Sequence, residues 1–372
     1  MFSFYYTSLL DFDSMMINSI NARGTANSTW IILAGLAVLL AGFFVVSLQV
    51  GAVAVSVPEV LSIMLHQVGG GADNFTLQQE RVLLHIRLPR VVLGMVVGAA
   101  LGVSGASLQG LFRNPLVEPG LIGVSSGAAL FAVVAIVFGT SIQGIWGAAF
   151  TSSFFLPVFS FVGGLVATML TYTLGHRQGK TDITILILGG IAINALAGAL
   201  VGLVLYFADD AALRSFTFWS MGDLGGASWS RMSIALPMVL LPTLALTLLR
   251  DQLNALSLGE AEAYHLGVNV EQVKYLVILL SSMAVGASVS LTGMIGFIGL
   301  VVPHILRLAF GPDHHVVLPG AMLTGAIVLL LADLSARTVV IPSELPIGIV
   351  TALLGAPFFI WLLLNAKKKR II

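Results

Sequence analysis

Apolar residues run in blocks of about 20 along most of this chain, the length a helix needs to cross the hydrocarbon layer of a bilayer, and polar residues are confined to the breaks between them. The pattern predicts ten membrane helices, over about 30–50, 91–112, 119–139, 149–174, 183–207, 232–249, 271–292, 295–310, 316–334 and 346–364. The eighth is short and holds Gly296, Gly299 and Pro303, so a broken or partial span is expected there. The blocks follow one another closely enough to leave no segment for a water-soluble module. One transmembrane unit over 30–366 is expected, between an N-terminal segment 1–29 and a basic tail 367–372.

Ten spans place both termini on one side, and positive charge decides which. If Lys367, Lys368, Lys369 and Arg370 are cytoplasmic, Lys180 and Lys274 fall on the same side, which accounts for all five lysines. The cytoplasmic side then receives the turn at 113–118, the loop at 175–183, the long loop at 250–270 and the turn at 311–313. The outer side receives 51–90, 208–231 and 335–345. Both termini, and with them segment 1–29, are expected in the cytoplasm.

Composition agrees with the pattern and removes several function classes. The 372 residues are 58% hydrophobic and 9% charged, against about 25% charged in soluble domains. The chain is all-α and polytopic in expectation. Zero net charge argues against a nucleic-acid partner, which needs a basic surface. The absence of cysteine excludes disulfides, thiolate metal sites and cysteine nucleophiles. The seven histidines form no HExxH cluster and no GxSxG elbow appears, so neither a metal centre nor a hydrolase is expected. Gly175 to Thr181 imitates a phosphate loop, but that motif requires glycine at 174, where the chain has Leu174.

Four polar features stand out against this background. Arg113-Asn114-Pro115-Leu116-Val117-Glu118 interrupts two apolar runs, and Pro115 and Pro119 force both flanking helices to stop. The loop RDQLNALSLGEAEAYHLGVNVEQVK is helix-prone; its Ala/Glu helix is expected to open at Ser257-Leu258-Gly259-Glu260, end at Gly267, and suit docking into a partner's groove. Arg87 and Arg90 lie on the outer side, against the usual charge bias. Asp333 and Arg337, four residues apart, can pair on one helix face. No carboxylate falls at the midplane, where ion-coupled carriers place theirs, so an external energy source is expected.

The residues carry one resemblance. IRLPRVVLGMVVGAALGVSGASLQGLFRNPLVEPGLIGVSSGAAL, LGEAEAYHLG, GFIGLVVPHILRL, ADLSAR and ELPIGIVTALLGAPFFIWLLL, in that order over about 50–366, resemble FecCD-type permease subunits of bacterial ABC importers for iron-siderophores, haem and cobalamin. The resemblance implies the type II importer permease fold with about ten helices in a bacterial inner membrane. It implies a homodimer, two cytoplasmic ATPase subunits that carry the ATP and Mg, and a periplasmic substrate-binding protein. The chain itself is then neither an enzyme nor a cofactor binder.

Matched by position, Arg87, Arg90 and Arg337 are the residues expected to meet the binding protein. Asn114, Pro115 and Leu116, with Thr181 and Asp182, are the expected cytoplasmic gate, although Asp182 stands where a small hydroxyl residue is familiar. Gly259, Glu260, Ala261, Glu262, Ala263, His265, Leu266 and Gly267 are the expected ATPase-coupling segment. The outer stretch YFADDAALRSFTFWSMGDLGGASW resembles the haem-importing branch most, with ferric siderophore or cobalamin as alternatives. An ion-coupled transporter or channel that works alone is the rival class.

Overall fold

The computed structural model describes residues 26–51, 53–70, 74–146, 154–340 and 343–369. The N-terminal segment lies outside the described residues as far as 25, and the basic tail does so from 370. The elements in chain order are α1 Ala26–Gln49, α2 Val57–Gln67, α3 Leu77–Val82, α4 Leu88–Phe112, α5 Val124–Trp146, α6 Phe155–Gly175, a hairpin of β1 His176–Arg177 and β2 Lys180–Thr181, α7 Ile183–Tyr206, α8 Asp210–Met221, α9 Trp229–Thr247, α10 Arg250–Leu258, α11 Glu260–His265, α12 Val270–Thr292, α13 Ile298–Phe310, α14 His314–Thr338 and α15 Ile347–Lys369. A helix occupies each of the ten predicted apolar stretches, among the described residues.

Among the described residues, length and apolarity alone qualify six helices as membrane spans; α9 with α10, bent by 49° between them, passes as a seventh, and α5, α13 and α15 hold shorter apolar stretches. The predicted short eighth span is α13, 13 residues with Pro303 inside. Polar side chains set where several helices begin. Asp182, Asp209, Asn269 and Asp313 accept hydrogen bonds from the first-turn amides of α7, α8, α12 and α14, satisfying donors that have no partner within the helix.

The second span departs from its predicted bounds. It was expected over about 91–112, the extent of its apolar run. Helical backbone instead runs unbroken from Leu77 to Phe112. Thr76 and Gln79 form a reciprocal capping box at the start of α3, and a π-helical turn over Leu83–Arg87 carries the chain into α4. Such turns concentrate at functional sites, and this one sets Arg87 and Arg90 on the helix.

Helix α4 is the axis of the bundle. Along the most apolar stretch of the Leu77–Phe112 helix 83% of residues are buried, against 17% for α7, which lies at the edge. α4 packs against α14, α12, α13 and α9, and small residues make the closest approach possible. A Cβ on Gly98 would collide with the Gly325 carbonyl, one on Gly102 with the Ala321 carbonyl, and one on Gly105 with the Gly299 carbonyl.

The segment 208–231, read from sequence as a plain outer connection, contains helix α8. It is tied to the end of α12, where the Asp223 amide donates to the Thr292 carbonyl at 2.7 Å.

Candidate gating and coupling site

One end of the bundle gathers the elbow at 113–123, the β1–β2 hairpin and the α10–α11 segment. α4 ends with Arg113 in the left-handed region, φ 48°, and the Asn114 amide closes the helix on the Gln109 carbonyl at 3.2 Å. The Asn114 side chain then accepts from the Leu116 amide at 3.0 Å, turning the chain on itself. A 3-10 turn, Pro119–Ile122, and Gly123 at φ 91° lead into α5. The predicted double stop is therefore present, and it makes α5 begin at 124, later than the 119 expected.

Leu116 presents an apolar side chain to solvent here, 41% exposed, while Val117 is buried. Burial pushes the Glu118 carboxyl above the usual carboxylate range. The elbow is clamped from α7, whose Asn194 donates to the Gly120 carbonyl at 3.0 Å.

The second expected gate segment lies at the other end of a short hairpin. Gln178 and Gly179 have φ of 54° and 77°, the left-handed pair that a two-residue hairpin turn requires. The loop that imitates a phosphate cradle is this hairpin. Thr181 is buried, with its backbone amide bonded to Glu271 at 2.9 Å and its hydroxyl 3.0 Å from His176. Asp182 caps α7 through the amides of Thr184 and Ile185 at 2.8 and 3.1 Å. Its departure from the familiar hydroxyl residue is conservative in this respect, since Asp, Ser and Thr all cap. Asp182→Ala is expected to cost about 1 kcal/mol of stability and Asp182→Ser only a few tenths, read as thermal unfolding in detergent. Equal losses in both would refute the capping role.

The 250–270 loop is divided at Gly259, φ 131°, into α10 and α11, and the expected coupling segment runs from that break to Gly267 at φ 84°. The Gly267 and Val268 amides bond back to the Tyr264 and Ala263 carbonyls, each at 3.0 Å, so Gly267 terminates α11 as read from sequence. Ala263 is turned inward, whereas Ala261, Glu262, His265 and Leu266 face solvent. Tyr264 and Leu266 are 72% and 64% exposed, and Tyr264 borders a groove of about 970 Å³ walled also by Lys180, Glu260, His265 and Glu271. Apolar residues standing out on a polar element suit a docking surface. Asn254 anchors α10 to the start of α14 through the His314 amide at 2.9 Å and Asp313 at 2.8 Å.

Sequence reading used Lys274 only to orient the chain. It is 3% exposed and its ammonium touches Glu260 at 2.8 Å, Glu271 at 3.0 Å and the Thr181 carbonyl at 3.0 Å. The signal available was local, an i,i+3 carboxylate at Glu271. The contact with Thr181 spans 93 positions and carries no local signature.

The opposite end holds the three expected docking arginines together. Arg90 pairs with Asp333 and with Glu344, both at 2.8 Å, and Arg337 with Asp333 at 3.1 Å, so the predicted Asp333–Arg337 pair forms. Arg87 donates to the carbonyls of Leu48, Gln49 and Val53, and Arg337 to those of Val50 and Ser47. These carbonyls include the last ones of α1, which lack acceptor partners within the helix and carry the negative end of its dipole. Two of the three guanidinium groups thus cap α1. Glu344, half exposed, is the member of the cluster that reaches solvent, beside a cavity of about 420 Å³. Sequence gave no sign of that capping, because α1 ends about 40 residues before Arg87 and almost 290 before Arg337.

Among the described residues, no group of three or more His, Asp or Glu is arranged to hold a metal ion.

The sequence model of the FecCD transport family matches residues 36–365. The hemin transport system permease protein HmuU of Yersinia pestis is 46% identical over 333 residues, 89% of this chain and 97% of that protein. The cobalamin import system permease protein BtuC of Halobacterium salinarum is 43% identical, covering 77% of this chain and 74% of its own. A solved inward-facing metal-chelate type ABC transporter superposes with a TM-score of 0.77 at 36% identity, over 90% of this chain and 99% of that one.

Proposed function

The chain belongs to the FecCD transport family, and from that premise we propose that it carries haem inward across a bacterial inner membrane as half of a homodimeric pore. It is the permease subunit of an ABC transporter, and the ATPase is a separate subunit. The observation that carries the haem reading is the 46% identity to a hemin permease over nearly the full length of both chains. Cobalamin is the second reading, favoured by the 43% identity to a cobalamin permease. A ferric siderophore is kept with it as a metal chelate, on the likeness to a metal-chelate transporter.

In this reading the two copies rock between inward- and outward-open states. ATP and Mg act on the partner, and ATP binding draws the ATPase subunits together. The exposed face of α11, with Tyr264 and Leu266, docks in a groove of the ATPase and passes the movement on. The elbow at Asn114, Pro115 and Leu116 and the segment Thr181–Asp182 open or close the cytoplasmic mouth. Both termini, the segment 1–29 and the tail 367–372 stay in the cytoplasm. On the outer side the periplasmic binding protein seats over Arg87, Arg90 and Arg337. Arg87 and Arg337 hold α1 in place, so an acidic side chain on the binding protein gains Arg90 by exchange with Glu344.

The test is uptake by vesicles that contain this chain with its ATPase and binding protein. Haem is expected to accumulate with ATP, and cobalamin and a ferric siderophore are not. Solute concentrated by this chain alone, under an ion gradient and without an ATPase, would instead establish the rival class.

A further inference from the structure

The buried ammonium of Lys274 joins two elements that the proposed mechanism treats separately. Glu260, the first residue of α11, belongs to the ATPase-docking element; Thr181 belongs to the gate segment that opens into α7. The Lys274 Nζ contacts both, at 2.8 Å to the Glu260 carboxylate and 3.0 Å to the Thr181 carbonyl. Its third contact is Glu271 at 3.0 Å, and the other oxygen of Glu271 accepts the Thr181 amide at 2.9 Å. Both backbone polar groups of Thr181 are therefore held by this pair, and all three ammonium protons have acceptors.

We infer that Lys274 is a positioning residue that makes the docking helix and the gate segment move as one body, an inference that rests on the importer reading above. A buried ammonium left without its acceptors is strongly unfavourable, and Lys274 is 3% exposed. When the docked ATPase displaces α11, Glu260 is pulled, and separation from Lys274 is resisted by that desolvation penalty. Lys274 follows, and Thr181 follows with it, because its amide and carbonyl are tied to Glu271 and Lys274. Asp182 comes next in the chain and caps α7, so the displacement enters a membrane helix at its first turn. Glu260 is the outermost link, its side chain 41% exposed on the wall of the docking groove. It is also the link that can be weakened, by removing its charge, while Lys274 keeps its other two acceptors.

The experiment uses the complete importer in proteoliposomes and reads haem moved per ATP hydrolysed. Glu260→Gln leaves Lys274 only a weaker, neutral hydrogen bond and is expected to lower that ratio about tenfold; because Glu260 also lies in the docking element, the ratio is read on complexes purified with their full complement of ATPase. Lys274→Met is expected to lower it at least as far, and the double variant no further than Lys274→Met alone, since both act on one link. If Lys274→Met fails to assemble, Glu260→Gln carries the test by itself.

A nitroxide on Thr184→Cys, at the exposed first turn of α7, adds a readout that a merely structural role would not move; the chain has no other cysteine to label. Its spectrum is expected to change on nucleotide binding in the parent and to stay still in Glu260→Gln. An unchanged transport ratio in Glu260→Gln, multiplied losses in the double variant, or a label that still responds would each overturn the relay. Absence of any ATPase association with the parent chain would overturn the importer reading itself.

Discussion

Asp333→Ala is expected to remove most of the folded protein from the membrane fraction. Asp333 is 1% exposed and is the carboxylate shared by Arg90 and Arg337, whose own side chains are 10% and 6% exposed. Removing it leaves two buried guanidinium groups short of a counter-charge. Breaking a buried pair from one side costs about 3–5 kcal/mol, a large part of the total stability of a typical domain. The consequence spreads beyond the pair, because Arg337 also holds the carbonyls of Ser47 and Val50. α1 is then expected to loosen first, seen as earlier proteolysis at its outer end. Glu344→Gln is the matched control: its side chain is half exposed, and exposed pairs contribute about 0–1 kcal/mol. Thermal unfolding followed by gel filtration in detergent separates the two. Equal behaviour of both variants would show that the outer cluster is not held by the buried carboxylate.

Gly102→Leu is expected to be as damaging by a different route. A Cβ at 102 would overlap the Ala321 carbonyl and press on the Gly325 Cα at 3.5 Å. The obstacle is backbone, so no rotamer change relieves it, and α4 and α14 must separate. Overpacking typically costs about 1–3 kcal/mol, occasionally more, and the α4–α14 crossing is the most extensive helix contact in the bundle, so a value at or above the upper end is expected. Gly35→Leu on α1 is the control, because a Cβ there meets nothing within 4 Å; it should express and unfold like the parent. A folded, transporting Gly102→Leu protein would mean the two helices do not approach as closely as described.

The two losses bear on function in different ways. The outer cluster fixes α1 to α4 and α14, so its failure disturbs the face proposed to receive the binding protein. The glycine crossing fixes the axis itself, against which the elbow and α12 are set. A protein that rocks between two states needs rigid bodies to rock, and these two contacts are what make α1, α4 and α14 one body.

Much of the protein was written locally. Each apolar block had to satisfy its own backbone hydrogen bonds in lipid, which only a helix of that length can do, so all ten helix positions were visible as composition over about 20 residues. Turn chemistry was legible for the same reason: the elbow between Pro115 and Pro119 and the stop at Gly267 depend on φ preferences of single residues. The order of long motifs was enough to place the chain in its family. What escaped were properties of pairs distant in sequence. The apolar run of the second span begins at 91, yet helical backbone reaches back to Leu77 by way of a π turn. Arg87 and Arg90 read as free charges on an outer face and Arg337 as the partner of Asp333, but the end of α1 brings carbonyl groups to Arg87 and Arg337, and Arg90 shares Asp333 and reaches Glu344. Lys274 read as a marker of sidedness and became a buried three-way contact between docking helix, α12 and gate. A local sequence records which groups a residue can offer; which groups it meets depends on chain folding across 90 to 290 positions, and in a low-dielectric interior the partner decides what the charge does.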